Sequence, residues 1–216
     1  LQNANSLGSE GMHVIAVAEK REQIDVRTFS GTDEKDMTFL GYVAFLDPPK
    51  PDVAKAVQEL YEAGVDVKVL SGDASPVVAN ICGQVGIRTG AALTGDEVEG
   101  MEDAALRAAV ERTNIFARLA PMQKQRVVDA LRANGHVVGY MGDGVNDAPP
   151  LRHADVGISV DTATDVAKES SDIILLEKSL SVLKDGIYEG RRIYGNIMKY
   201  MKMALSGNFG NVFSVL

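Results

Sequence analysis

Short apolar runs alternating with helical stretches constrain this chain more than any other feature. The runs are "FLGYVAFL", "VDVKVL", "IFARL", "HVVGYM", "VGIS" and "DIILL". Between them lie segments with helical spacing. "DVAKAVQELYEAG" is closed by Gly64, "VVANICGQVG" is preceded by Ser75 as cap and Pro76 as first residue, "DAALRAAVERT" follows, and Pro121 opens "PMQKQRVVDALRANG". This order predicts an α/β fold, a mostly parallel sheet with helices on both faces. In such sheets ligands gather at the carboxyl ends of strands. A length of 216 residues allows one good core, or one core plus an appendage.

Polar clusters follow three of the apolar runs. Asp47 follows "YVAFL", Ser71-Gly72-Asp73 follows "VDVKVL", and "GDGVND" follows "HVVGYM". If the three strand tips are neighbours, they form one strongly anionic edge. A helix cap needs one acid, whereas Asp143 and Asp147 flank Asn146 within a single turn. Such a pair suits a hard cation: magnesium is typically held by one or two carboxylates, waters and a substrate phosphate. Gly142 and Gly144 are expected to let the backbone turn sharply there. Ser71 and Gly72 offer a hydroxyl and a backbone N–H near a helix start, a common cradle for phosphate oxygens. Lys124 stands in the first turn of its helix, against the macrodipole, which implies an anion close to it. Magnesium, hydroxyl, amide and lysine together describe phosphoryl transfer, where catalysis is mostly positioning and charge neutralisation.

Other chemistries fit poorly. The net charge of −8 argues against a nucleic-acid-binding face. The lone Cys82 excludes a disulfide framework and a cysteine-based zinc site, and is read as a structural thiol. His13, His136 and His153 are too widely spaced in sequence for a histidine metal motif. No G-x-x-x-x-G-K-[ST], G-x-S-x-G or H-E-x-x-H string occurs, and "GDGVND" ends in an acid where a dinucleotide loop needs glycine.

"SGD", "FARLAPMQK" and "MGDGVNDAPPLRHADVGIS", with "FLDPPKP", resemble in identity and order the motifs of the phosphorylation domain of P-type cation-transporting ATPases. These belong to the haloacid-dehalogenase superfamily, with its Rossmann-like fold. "EGRRIYGNIMKYMKMALSGNFGNVFSVL" resembles the stalk and membrane-helix entry of bacterial magnesium-importing members. The resemblance implies an ATP-driven pump working through an aspartyl phosphate, with Mg2+ and ATP as cofactors and a cation as cargo, most closely Mg2+. It implies an inner or plasma membrane location, with this segment mainly cytoplasmic and the rest of the protein in the bilayer. The implied domains are residues 1–38, the end of the nucleotide-binding domain; 39–190, the phosphorylation domain; and 191–216, a stalk and the start of a membrane helix.

Residue roles follow from the same resemblance. Asp143 would bind the catalytic magnesium, with Asp147 as support or second ligand. Lys124 would neutralise the phosphoryl group. Ser71, Gly72 and Asp73 would hold it and help to position the attacking water. Arg118 and Asp47 match positions that contact nucleotide or the interdomain hinge, and Asn146 would tie the loop together. The chain departs from the pattern at Ser71, where the family usually has Thr, at Ala74-Ser75, and at Pro150, where Ala is usual. It also lacks the Asp-Lys-Thr-Gly-Thr string that carries the family's nucleophile. With Leu1 at one end and "NFGNVFSVL" at the other, the chain reads as a fragment. A soluble phosphatase of the same superfamily, or a non-catalytic magnesium- or nucleotide-binding domain, are the alternative readings.

Overall fold

The alternation is realised as two three-stranded parallel sheets and one antiparallel pair. The structure, a computed structural model, describes residues 7, 11–21, 31, 34–45, 48–88, 90–177 and 179–215, with side chains to residue 209. The chain divides into two compact units, residues 1–49 with 68–120 and residues 50–67 with 121–216.

In the first unit, β1 (His13–Glu19) pairs antiparallel with β2 (Thr38–Phe45). β2 was expected to be a buried strand. It is instead largely exposed, with Phe39, Leu40, Val43 and Phe45 all open to solvent. β2 pairs with β1 and is not a strand of either parallel sheet. Asp47 itself lies outside the described residues.

The parallel sheet of this unit has the order β3–β5–β4, from β3 (Val69–Leu70), β4 (Leu93–Thr94) and β5 (Ile115–Ala117). β5 is central and wholly buried, with Phe116 fully enclosed. Helix α2 (Ser75–Gln84) packs beside it and contributes Val77, Val78 and Cys82 to the core. The N-cap of α2 is Ala74, not Ser75, and no side chain caps it; Pro76 sits in the first turn, where its missing N–H costs nothing. Helix α3 (Gly95–Gly100) starts from a capping box that the periodicity did not reveal. The Thr94 hydroxyl accepts from the Glu97 N–H and the Glu97 carboxylate accepts from the Thr94 N–H, an arrangement that contributes about 1 kcal/mol. Helix α4 (Asp103–Val110) buries Leu106 and Val110.

Burial pushes the Cys82 thiol up to about 11. At pH 8 the native chain is therefore expected to react with a thiol reagent on the order of a hundredfold more slowly than the denatured chain. Equal rates would show that the thiol is accessible and that the structural reading is wrong.

The second unit opens with α1 (Val53–Glu62), which ends as its sequence suggested. Gly64 adopts φ +72°, its N–H reaches the Tyr61 carbonyl, and the Val65 N–H reaches the Leu60 carbonyl at 2.9 Å. Its parallel sheet has the order β6–β7–β8, from β6 (Gly139–Met141), β7 (Val156–Val160) and β8 (Ile173–Leu175). Around it lie α5 (Pro121–Ala133), α6 (Ala148–His153) and α7 (Asp165–Glu169), which bury Val127, Val128, Leu131, Leu151 and Ala167.

The amino ends of β6 and β7 are tied by Asp155. It accepts from the Val138 N–H at 2.9 Å and from Arg132 at 3.0 Å, while Arg132 also donates to the His153 carbonyl. Helix α8 (Leu180–Val215) is continuous over 36 residues. It meets α1 through a Lys184–Glu59 ion pair at 3.2 Å and through the Arg191 guanidinium, which donates to the Ala63 carbonyl. Among the described residues no helix is long and apolar enough to cross a membrane.

Candidate functional site

The candidate residues fall into two groups, one in each unit. In the first unit β3 ends at Leu70 and the chain turns through Ser71-Gly72-Asp73. The turn is fixed to the end of β5 by three backbone bonds. The Ser71 N–H donates to Phe116, the Arg118 N–H to the Asp73 carbonyl, and the Leu119 N–H to the Ser71 carbonyl, each at 2.9 Å. The Ser71 hydroxyl donates to Asp73 Oδ2 at 2.8 Å and accepts from the Asp73 N–H at 3.0 Å. This local ring holds the hydroxyl in a defined direction. Gly72 has no left-handed φ, and a Cβ there would make only ordinary contact with the Leu119 carbonyl at 3.7 Å. Arg118 is exposed and adopts φ +53°, a conformation costly for a non-glycine residue, held by its bond to Asp73. Ser71, Asp73 and Arg118 are thus brought together through their backbones.

The second group is built on the carboxyl end of β6. Asp143 and Asn146 are exposed, and a single 3-10 turn, Val145–Asp147, ends at the less exposed Asp147. Lys124 Nζ donates to Asp147 Oδ1 at 2.8 Å, and both side chains are nearly buried, 12% and 14% exposed. The Tyr140 hydroxyl donates to the same oxygen at 2.8 Å, and the Gly144 N–H reaches Oδ2 at 3.3 Å. The anion that the position of Lys124 called for is present in this chain as the Asp147 carboxylate. Burial pushes the Asp147 carboxyl up, but hydrogen bonds from Lys124 and Tyr140, the Lys124 charge and the Gly144 N–H together outweigh it. The group sits below the usual carboxylate range and is ionised at neutral pH. Burial first, then the Asp147 charge and the bond to it, push the Tyr140 hydroxyl well above its ordinary range, so it stays a donor.

The glycines of this turn act differently from expectation. Neither Gly142 nor Gly144 adopts a left-handed φ. A Cβ on Gly142 would lie 2.7 Å from Asp147 Cγ, so glycine is needed there because the Asp147 side chain packs against the backbone. A Cβ on Gly144 would meet Asp147 Oδ2 at an ordinary 3.5 Å.

Three residues escaped the sequence reading. Ser159, fully buried, donates its hydroxyl to the Gly142 carbonyl at 3.1 Å. The Thr164 N–H donates to the Asp143 carbonyl at 3.0 Å. Tyr140 looked like one more apolar strand residue. The available signal was a hydroxyl on an inward strand position just before an acidic turn.

The donor set fits magnesium in one form. Asp147 has Oδ1 occupied by two donors and Oδ2 by one, which leaves it better suited to support than to direct ligation. Asp143 stands exposed at the strand tip, and among the described residues no third His, Cys, Asp or Glu completes an all-protein cage. One carboxylate with waters and a substrate phosphate is an ordinary magnesium environment.

Comparison with known proteins adds three findings. Residues 8–155 match the family model described as haloacid dehalogenase-like hydrolase. The chain is 52% identical over 212 residues to a magnesium-transporting ATPase, P-type 1, of Salmonella typhimurium, and 50% identical over 212 residues to the protein of that name from Escherichia coli. Each alignment covers 98% of this chain and 24% of the relative, so the chain spans about a quarter of the length of the curated relatives it matches. Among solved structures, a zinc-transporting PIB-type ATPase in its E2.Pi state aligns with TM-score 0.63 at 28% identity, over 92% of this chain and 26% of that one.

Proposed function

The chain belongs to the haloacid dehalogenase-like hydrolase family, and from that membership we propose that it is the phosphorylation-domain part of an ATP-driven cation pump. The pump works through an aspartyl phosphate, carries magnesium, and sits in the cell membrane with this segment on the cytoplasmic side. The observation that carries this reading is identity of 50–52% along nearly the whole chain with two magnesium-transporting relatives. The nearly buried Lys124–Asp147 pair, four residues from the exposed Asp143, supports it chemically. In this reading residues 1–38 close the nucleotide-binding domain, 39–190 form the phosphorylation domain, and 191–216 begin the route to the membrane.

The residues take the following parts. Lys124 keeps two N–H donors beyond the one given to Asp147, and offers them to the phosphoryl oxygens. Asp147 holds the lysine in place. Asp143 holds Mg2+, which when bound screens the phosphoryl charge. Ser71, Gly72 and Asp73 hold phosphoryl oxygens and orient water, Asn146 braces the acidic turn, and Arg118 and Asp47 serve the nucleotide or the interdomain hinge.

The test is Lys124→Ala in the full-length protein. Affinity for orthovanadate or beryllium fluoride, which mimic the phosphoryl group, is expected to fall by about 2 kcal/mol, the loss of one charge-assisted contact. Unchanged affinity would mean that Lys124 serves only its internal ion pair.

A further inference from the structure

We propose that Tyr140 is a positioning residue for the phosphoryl-binding lysine, acting through the Asp147 carboxylate; this rests on the reading of Lys124 given above. The geometry is a three-part relay within one unit. Tyr140 is 8% exposed on β6, and its hydroxyl donates to Asp147 Oδ1 at 2.8 Å. Lys124 Nζ, from the first turn of α5, donates to that same oxygen at 2.8 Å. A lysine sits on a flexible four-carbon stem, and an aspartate on a short turn can rotate about its own side-chain bonds. A tyrosine has two side-chain torsions, and this one is buried between exposed neighbours on β6 and tied down by its hydroxyl bond. Its hydroxyl therefore fixes Oδ1 relative to the sheet, and Oδ1 in turn fixes Nζ.

The shared oxygen also divides its negative charge between two donors. Held by Lys124 alone, Asp147 would draw the ammonium inward and compete with an incoming phosphoryl group. With Tyr140 donating as well, the lysine stays in place but is less fully neutralised. Phenylalanine at this position would fill the same space and remove only the hydroxyl.

The experiment compares Tyr140→Phe, Lys124→Ala and the double variant in the full-length protein. The measurements are turnover per phosphorylatable site, KM for ATP, and orthovanadate affinity. Tyr140→Phe is expected to lower turnover and vanadate affinity by about tenfold, the factor for one hydrogen bond to a charged group, with KM for ATP within about twofold. In the Lys124→Ala background the same change is expected to have almost no further effect, because the hydroxyl acts through the lysine. A residue that only packs would lower the number of phosphorylatable sites and leave turnover per site and vanadate affinity unchanged, and that result overturns the proposal. So does a Tyr140 effect that persists in full without Lys124. If Lys124→Ala itself changes nothing, the phosphate-site reading fails and Tyr140 falls with it. If Lys124→Ala acts and Tyr140→Phe does not, the Tyr140 proposal alone fails.

Discussion

Asparagine in place of Asp143 is expected to abolish magnesium-dependent phosphoenzyme turnover in the full-length protein while leaving the fold intact. The substitution is nearly isosteric and removes one negative charge at the tip of β6. Two contacts that hold the surrounding backbone are kept by the substitution: the Thr164 N–H donates to the Asp143 carbonyl, and the buried Ser159 hydroxyl to the carbonyl of Gly142. What is lost is the ligand proposed for the ion that screens the phosphoryl oxygens, and a loss of turnover on the order of a thousandfold is expected. Formation and decay of acid-stable phosphoenzyme from labelled ATP measure it. Turnover at the native rate in low magnesium would remove Asp143 from the chemistry.

Alanine at Gly142 is expected to destabilise the chain by about 2–4 kcal/mol. The added methyl would lie 2.7 Å from Asp147 Cγ and 2.9 Å from its Oδ2. Asp147 cannot yield without loosening its bonds to Lys124, Tyr140 and Gly144. Alanine at Gly144, two residues on, is the control. It meets only an ordinary contact and an extended backbone, so its cost is expected to stay below about 1 kcal/mol. Unfolding midpoints of the two variants in urea decide the matter, and equal midpoints would show that the close packing of Asp147 on Gly142 is not what requires the glycine.

Much of the second unit was legible because its signals are local. Pro121 opens α5 and Gly64 ends α1 through stereochemistry that any sequence must obey, and the acidic turn after "HVVGYM" marked the end of a strand. The unusual place of Lys124 asked for an anion nearby, and the one the structure supplies is the Asp147 carboxylate. The exposed face of β2 was not legible, since apolar alternation says that a strand prefers cover and not whether the cover is present. The parallel strands are also shorter than their apolar runs: "VDVKVL" yields only Val69 and Leu70. The bonds that organise the site, Tyr140 to Asp147 and Ser159 to Gly142, join residues whose partners are chosen by the path of the chain in space. The sequence offers only a hydroxyl on an inward strand position before an acidic turn, and spacing does not name its partner.

Helix α8 carries a mechanical consequence. The two ties to α1, at Lys184 and Arg191, lie within about its first three turns. Beyond Arg191 about 36 Å of unbroken helix remains, at 1.5 Å per residue to Val215. Treated as a rod pivoting at that anchorage, it turns a tilt of about 10° into a displacement of about 6 Å at its far end. The polar ties at this fulcrum are a partly exposed ion pair and a single guanidinium bond, which yield to small forces. Ångström-scale rearrangement in α1 would therefore arrive at the end of α8 amplified, with no hinge needed along the way.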